Sequence, residues 1–513
     1  MLELFLLVSG TLFVRLFPLR SLTLDFDSWG HIYLSDEVKK QNTSPWGWIY
    51  LKCWQSDKYR HPFLWHWVIG RLPLRSMLLN IRWINGVFDS VFAVLLYGSL
   101  SLIFSDPRAP LIGILLYLFT PMWFSSISIG TRVASVTPRL LSELLVNAIL
   151  VLVFFNLGMP VWIQIVLATA LTSCVILTSK FGLQALLFIG PATALLATSI
   201  DLFLVLSIGT LAPVILSRGE VLRMISRQVE HLSDYFKNNK RSPNETTNRN
   251  IFRNIVVRSS ESKLGIDLFG SLWNLLATNS YTAVIFKMPL IIFMFLIGGY
   301  GLSLDHVAFS PNVLPPILIA SALYLLINRP NLLFLGEAER YLNHIAVFII
   351  LASIDLAIQL DVIWLLWMII GYGFFYWMLE SFLVSRLVSN RARVSADTVL
   401  EEYLNRERGY ARLVASFPYH NYCLYRVMLL SNHRVIMPVH MKASVRQNFV
   451  EQFENRYAYL DLEKLDDIAS ATSLDTLIID KNALEAEGLG SWKPSSDWNS
   501  VELNQSIYYV YER

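Results

Sequence analysis

Apolar residues run along this chain in long, nearly unbroken blocks rather than in the short alternations of half-buried strands. Eleven such blocks, near 2–18, 82–104, 110–128, 138–157, 160–178, 181–198, 200–216, 283–302, 311–328, 343–361 and 362–384, can be marked. Each is about 17–24 residues long, enough for a helix to cross the hydrocarbon core. Short polar breaks such as Asp106-Pro107-Arg108, Gly158-Met159-Pro160 and Ser179-Lys180 separate neighbouring blocks, so tight hairpins join them. The pattern predicts a mainly α, polytopic transmembrane bundle. Its first block, Leu2 to Pro18, has no small-residue cleavage site and reads as a retained span.

Beyond residue 385 the pattern changes. Arg386, Arg391 and Arg393 open a mixed polar segment of roughly 125 residues, long enough for a small domain. Strand-like stretches at 434–439, 474–480 and 506–511 alternate with helical ones at 443–457 and 482–487. This predicts a membrane module over 1–385 followed by a soluble α/β domain over 386–513. The tail has no glycine-rich phosphate fingerprint, and no nucleic-acid partner is expected.

Two connections exceed a turn. The loop at 19–81 is rich in Trp, Tyr, His and Arg, and its apolar part, Pro62 to Pro73, is broken by His66 and Arg71. Such a segment suits the membrane interface. The loop at 217–282 holds ten Lys/Arg and six acids, with a flexible stretch near 238–244.

Composition strengthens the membrane reading and adds little else. The chain is 54% hydrophobic and 16% charged, with a mean hydropathy of +0.47, which excludes an ordinary soluble globular protein. A net charge of +3 does not point to a polyanionic partner. Three cysteines, Cys53, Cys174 and Cys423, have neither metal spacing nor disulfide density.

If the spans alternate in direction, the loops at 19–81, 129–137, 179–180, 217–282 and 329–342 share one face with the tail. That face collects Asp25, Asp27, His31, Glu37, Arg60, His61, Arg132, Arg139, Lys180, Glu337, Glu339 and Arg340. The other face has too few Lys/Arg for the positive-inside rule to choose a side. Asp25 and Asp27 stand where the first span ends, and carboxylates there are costly unless paired, wet or working. They also suit the plain role of capping the next helix. Arg132 and Lys180 suit snorkelling, and Arg340 suits pairing with Glu337 or Glu339. No His-x-x-His spacing supports zinc at His31.

Three segments carry a resemblance to the GT-C class of membrane glycosyltransferases, which includes oligosaccharyltransferase catalytic subunits and protein O-mannosyltransferases. They are Asp25-Phe-Asp27-Ser-Trp-Gly-His31, Arg60-His-Pro-Phe-Leu-Trp-His66 and Phe334-Leu-Gly-Glu-Ala-Glu-Arg-Tyr-Leu342. The resemblance covers most of residues 1–385. It implies a sugar donor on polyprenyl phosphate or diphosphate, an extracytoplasmic active site in the cell membrane, and a late loop that orders over donor. The acceptor would be a glycan, a lipid or a protein.

Asp27 matches the class's first-loop acid, with Asp25 as its partner. The acid would orient an acceptor hydroxyl or hold Mg²⁺ or Mn²⁺, ions that prefer oxygen ligands. Arg340 fits a donor-phosphate clamp through its planar fork, with Arg132 and Lys180 as further phosphate contacts. His31, Glu337, Glu339 and His61 would support the site. The rival expectations are a flippase for lipid-linked sugars, which predicts midplane charges and repeated halves, and a polysaccharide polymerase or ligase.

Overall fold

A computed structural model of the chain describes residues 2–21, 24, 26–125, 135–241, 280–303, 311–329, 332, 335–387, 399–400, 402–404, 411–418, 423–456, 459–501 and 508–513. Asp25, Arg132, most of the 217–282 loop and Cys423's side chain lie outside them. The chain divides into two compact units, one formed by Met1–Leu22 with Leu79–Val388 and one by Thr23–Leu78 with Ser389–Arg513. The first loop, assigned above to the membrane module, thus clusters with the C-terminal segment.

The first unit is helical. A helix occupies the core of every apolar block, from Leu2–Leu16 through Arg139–Phe154 and Val161–Thr178 to Ala346–Gln359 and Ile363–Leu387. Among the described residues three helices, Trp83–Ile103, Val161–Thr178 and Ile363–Phe382, are long and apolar enough to cross a membrane. Five shorter apolar helices of 10–17 residues accompany them, and Ile200–Leu216 meets Glu220–Glu230 at a 109° bend. Leu195 and Ile200 are 75% exposed, and Ile215 and Leu216 72%. Apolar surface left open on helices that are hydrophobic all round is what a bilayer covers. The chain is an integral membrane protein.

Inside this bundle the sequence placed charge where apolar packing was expected. Arg15, with a side chain 0% exposed, forms an ion pair with the equally buried Asp89. Its other nitrogens donate to the carbonyls of Leu118 at 2.9 Å and Tyr117 at 3.0 Å, and the Tyr117 hydroxyl donates to Asp89. Three helices, Leu2–Leu16, Leu74–Ile103 and Ala109–Phe119, are joined by one satisfied polar network. Burial of the pair is tolerated because nearly every donor has an acceptor. Elsewhere close packing depends on glycine: a Cβ on Gly373 would stand 1.7 Å from the Phe119 carbonyl oxygen.

The second unit is built on a five-stranded sheet of order β2-β1-β5-β7-β6. Its strands are β1 (Leu413–Phe417), β2 (Arg434–Val435), β5 (Thr476–Asp480), β6 (Asn499–Val501) and β7 (Tyr508–Glu512), while β3 (Glu454–Arg456) and β4 (Tyr459–Leu460) form a separate antiparallel pair. β1 runs parallel to β2 and β5, and β7 runs antiparallel to β5 and β6. Every residue of β1 and β5 is buried, as expected of the central parallel pair of a covered sheet. Ala415, Phe417, Leu477 and Ile479 enter a core with Phe449, Ile468 and Trp498.

The first loop folds onto this domain. Its helix Phe26–Lys40 packs on the helix Cys423–Leu430, where the Tyr425 ring lies 3.0 Å from a Cβ built on Gly30. Lys52 Nζ donates to the Met428 and Ser431 carbonyls at 2.9 Å, and Trp54 N donates to Val435 O at 2.8 Å.

Candidate active site

In the membrane unit the sequence around 336–340 makes a sharp turn. Gly336 has φ +104°, a conformation that disfavours side chains, and a Cβ there would meet the Phe181 ring at 2.8 Å. The turn leads into the helix Glu339–Asn343 and buries Arg340, which forms an ion pair with Glu337. The Arg340 guanidinium lies over the Phe181 ring, 4.2 Å from its centroid, and Arg139 stands 5.2 Å from the same centroid. Two cations therefore share one aromatic ring. Half-buried Lys180 precedes Phe181 and opens the helix Lys180–Leu196, whose N-cap Ser179 accepts from Gly182 N.

Neighbouring polar bonds hold this arrangement. Asn147 donates to Asn343 O at 2.9 Å and accepts from Val347 N at 2.9 Å, fastening the Arg139 helix to the segment after Arg340. The Arg340 carbonyl bonds His344 Nδ1 at 2.7 Å. Glu339 turns elsewhere: it is buried and accepts from Ser280 Oγ at 2.8 Å, while Tyr324 donates to the Ser280 carbonyl at 3.1 Å. Of the phosphate contacts expected from sequence, Arg340 is thus set beside Arg139, which was placed on the same face without a role.

In the second unit Asp27 lies exposed in the first turn of Phe26–Lys40. One turn later on the same helix face is His31. His31 Nδ1 is 2.8 Å from Nε2 of His66, a residue with no exposed surface. His61, 7% exposed, completes a cluster in which one ring nitrogen from each histidine lies within 4.8 Å of the others. Burial, and then the proximity of His31, hold His66 well below the usual histidine range, against an opposing pull from the Pro62 carbonyl. His66 is therefore neutral at neutral pH.

His61 stacks on Tyr59 at 5.8 Å between centroids. The bridge between Ile49 and Tyr59 turns the loop back, which returns residues 61–66 to the first helix of the unit. Sequence separation hid this trio: His31 is 30 residues from His61, and no local motif links them. Farther along the same helix, Asp36 pairs with Lys40 at 2.5 Å and Glu37 pairs with it at 3.9 Å.

The membrane bundle, with a loop after the first helix that folds with a C-terminal domain, has the fold of the GT-C membrane glycosyltransferases. Among solved structures, ArnT from Cupriavidus metallidurans bound to undecaprenyl phosphate is 13% identical over 99% of this chain and 97% of that one, with a TM-score of 0.54. The Archaeoglobus fulgidus oligosaccharyltransferase in complex with Zn and sulfate is 11% identical over 93% of this chain and 68% of that one, with a TM-score of 0.52. Its apo form is 12% identical, with a TM-score of 0.51. No protein-family model and no curated protein matches the chain.

Proposed function

We propose that this chain is a membrane glycosyltransferase that moves a sugar from a polyprenyl-phosphate or polyprenyl-diphosphate donor to an acceptor at the extracytoplasmic membrane surface. The observation that carries the reading is the buried Arg340 guanidinium, stacked with Arg139 on Phe181 in a chain of GT-C fold. The similar ArnT was solved with undecaprenyl phosphate, a ligand of this donor chemistry.

In the reaction the acceptor oxygen bonds to the anomeric carbon as the bond from that carbon to the phosphate oxygen breaks. The electron pair leaves on the polyprenyl phosphate, and the acceptor proton passes to a base. Arg340 would meet the growing phosphate charge with paired N–H donors, and Arg139 would add a second cation. Asp27 is assigned the base, or the carboxylate that orients the acceptor hydroxyl. A Mg²⁺ or Mn²⁺ ion held by Asp27 oxygen would supply charge neutralisation at the phosphate. Glu337 keeps Arg340 aimed while donor is absent, and Lys180 is kept as a further phosphate contact.

The test is acceptor-dependent release of polyprenyl phosphate by the full chain in proteoliposomes. Arg340→Ala should raise the donor KM by about 10- to 100-fold, the loss of a charge-assisted bond pair. Arg340→Lys should recover only part of this, because an ammonium lacks the fork. A donor response unchanged in Arg340→Ala, or sugar lipid crossing the bilayer without release, would overturn the assignment.

A further inference from the structure

The histidine trio lies outside the roles assigned to Asp27 and Arg340, and its chemistry is that of a metal site. We propose that His31, His61 and His66 bind one divalent transition-metal ion, with Zn²⁺ the ion their nitrogens suit best. Three imidazoles gathered in one place are otherwise hard to account for. His66 has no exposed surface and His61 is 7% exposed, so both rings were carried out of water into mutual contact. The ring centroids lie 5.0 Å apart for His31 and His66, 5.2 Å for His61 and His66, and 6.1 Å for His31 and His61.

Distances fit the ion. Nitrogens bound at about 2.0–2.1 Å to a tetrahedral Zn²⁺ stand roughly 3.3 Å apart. Here one pair is at 2.8 Å and all three nitrogens lie within 4.8 Å of one another, values that bracket the required spacing. Small rotations of the rings would close the set. Among the described residues no other group of three ligating side chains stands this close. The donors are all nitrogen, which favours Zn²⁺ and its neighbours over the oxygen-seeking Mg²⁺ or Mn²⁺. His31 is half-buried, and a water would serve as the fourth ligand.

The elements that supply the ligands define the consequence. His31 comes from the helix Phe26–Lys40, His66 from the helix Leu64–Ile69, and His61 from the irregular segment before it. An ion here would fasten those segments together and fix the helical turn that carries Asp27. The ligands act on the fold of the first loop, so the proposal stands even if the transfer reading fails.

The test uses the full chain in detergent, stripped with a chelator and titrated with ZnCl₂ or CoCl₂. The expected result is one ion per chain by elemental analysis, a raised Tm with Zn²⁺, and the visible bands of four-coordinate Co²⁺. His31→Gln, at the most exposed of the three positions, should weaken Zn²⁺ binding by more than about 100-fold, since outer-sphere partners alone are worth about 10- to 100-fold. Its metal-free Tm should match that of the metal-free parent, which separates ligand loss from misfolding. His61→Gln should behave alike. Absence of stoichiometric metal, a Tm unmoved by Zn²⁺, or equal uptake by His31→Gln would overturn the site and leave a hydrogen-bonded histidine cluster.

Discussion

At the scale of single residues, Phe181 is the side chain through which the cationic site is organised, because it carries Arg340 on its ring with Arg139 beside it. Phe181→Leu keeps the apolar bulk and removes the π face, so the donor KM should rise several-fold while thermal stability changes little; cation–π contacts are worth about 0.5–2 kcal/mol. Kinetics on purified variant and parent would check this, and an unchanged KM would make the ring mere packing. Residues of this kind were only partly legible. Asp27 and Arg340 stood out as charges at the ends of apolar blocks. Phe181 did not, because an aromatic in a membrane protein carries no signal until its neighbours are known. His31 and His61 were read as supporting residues, but their grouping with His66 was not legible, because that proximity is made by a loop that doubles back, not by spacing.

At the scale of elements, apolar block length located a helix for every predicted span, since a stretch of about 20 apolar residues has few alternatives. Charges inside those blocks were harder to read. Arg15 lies in the first block and Asp89 in the second, and nothing local says that they pair. Asp89→Leu alone should cost about 3–5 kcal/mol by stranding a buried guanidinium, whereas Arg15→Met with Asp89→Leu should recover most of it. Thermal unfolding of the three proteins in one detergent measures both; equal losses in the single and double variants would contradict the pairing argument.

Gly373 gives a second check on helix packing. Gly373→Ala must push the helix Ile363–Leu387 away from the Phe119 carbonyl and should lower Tm, at a cost of about 1–3 kcal/mol. Gly371→Ala, where a Cβ meets nothing within 4 Å, should not. In the tail, β5 and β7 were readable as apolar runs, but β1 (Leu-Val-Ala-Ser-Phe) was passed over because five mixed residues without alternation give no period to detect.

At the scale of the whole molecule, hydropathy was sufficient for the class and insufficient for the division into units. The first loop reads as an interfacial appendage of the membrane module, yet it folds with the C-terminal segment. The reason is physical: many of its bonds to that segment run through backbone groups, such as the carbonyls of Lys52 and Gln55 and the Trp54 N–H, whose partners no side-chain pattern reveals. Deleting residues 389–513 should therefore expose the apolar underside of the first loop and reduce its protection in hydrogen exchange, while the membrane helices keep theirs. The most direct measurement is single-turnover release of polyprenyl phosphate from a polyprenyl-phosphate sugar by the parent chain and by Asp27→Asn. Acceptor-dependent release by the parent, and its loss in a folded Asp27→Asn that still binds donor, is the predicted result. Equal release by both proteins would contradict the assignment of Asp27, and no release by either with any lipid-linked sugar would contradict the glycosyltransferase reading itself.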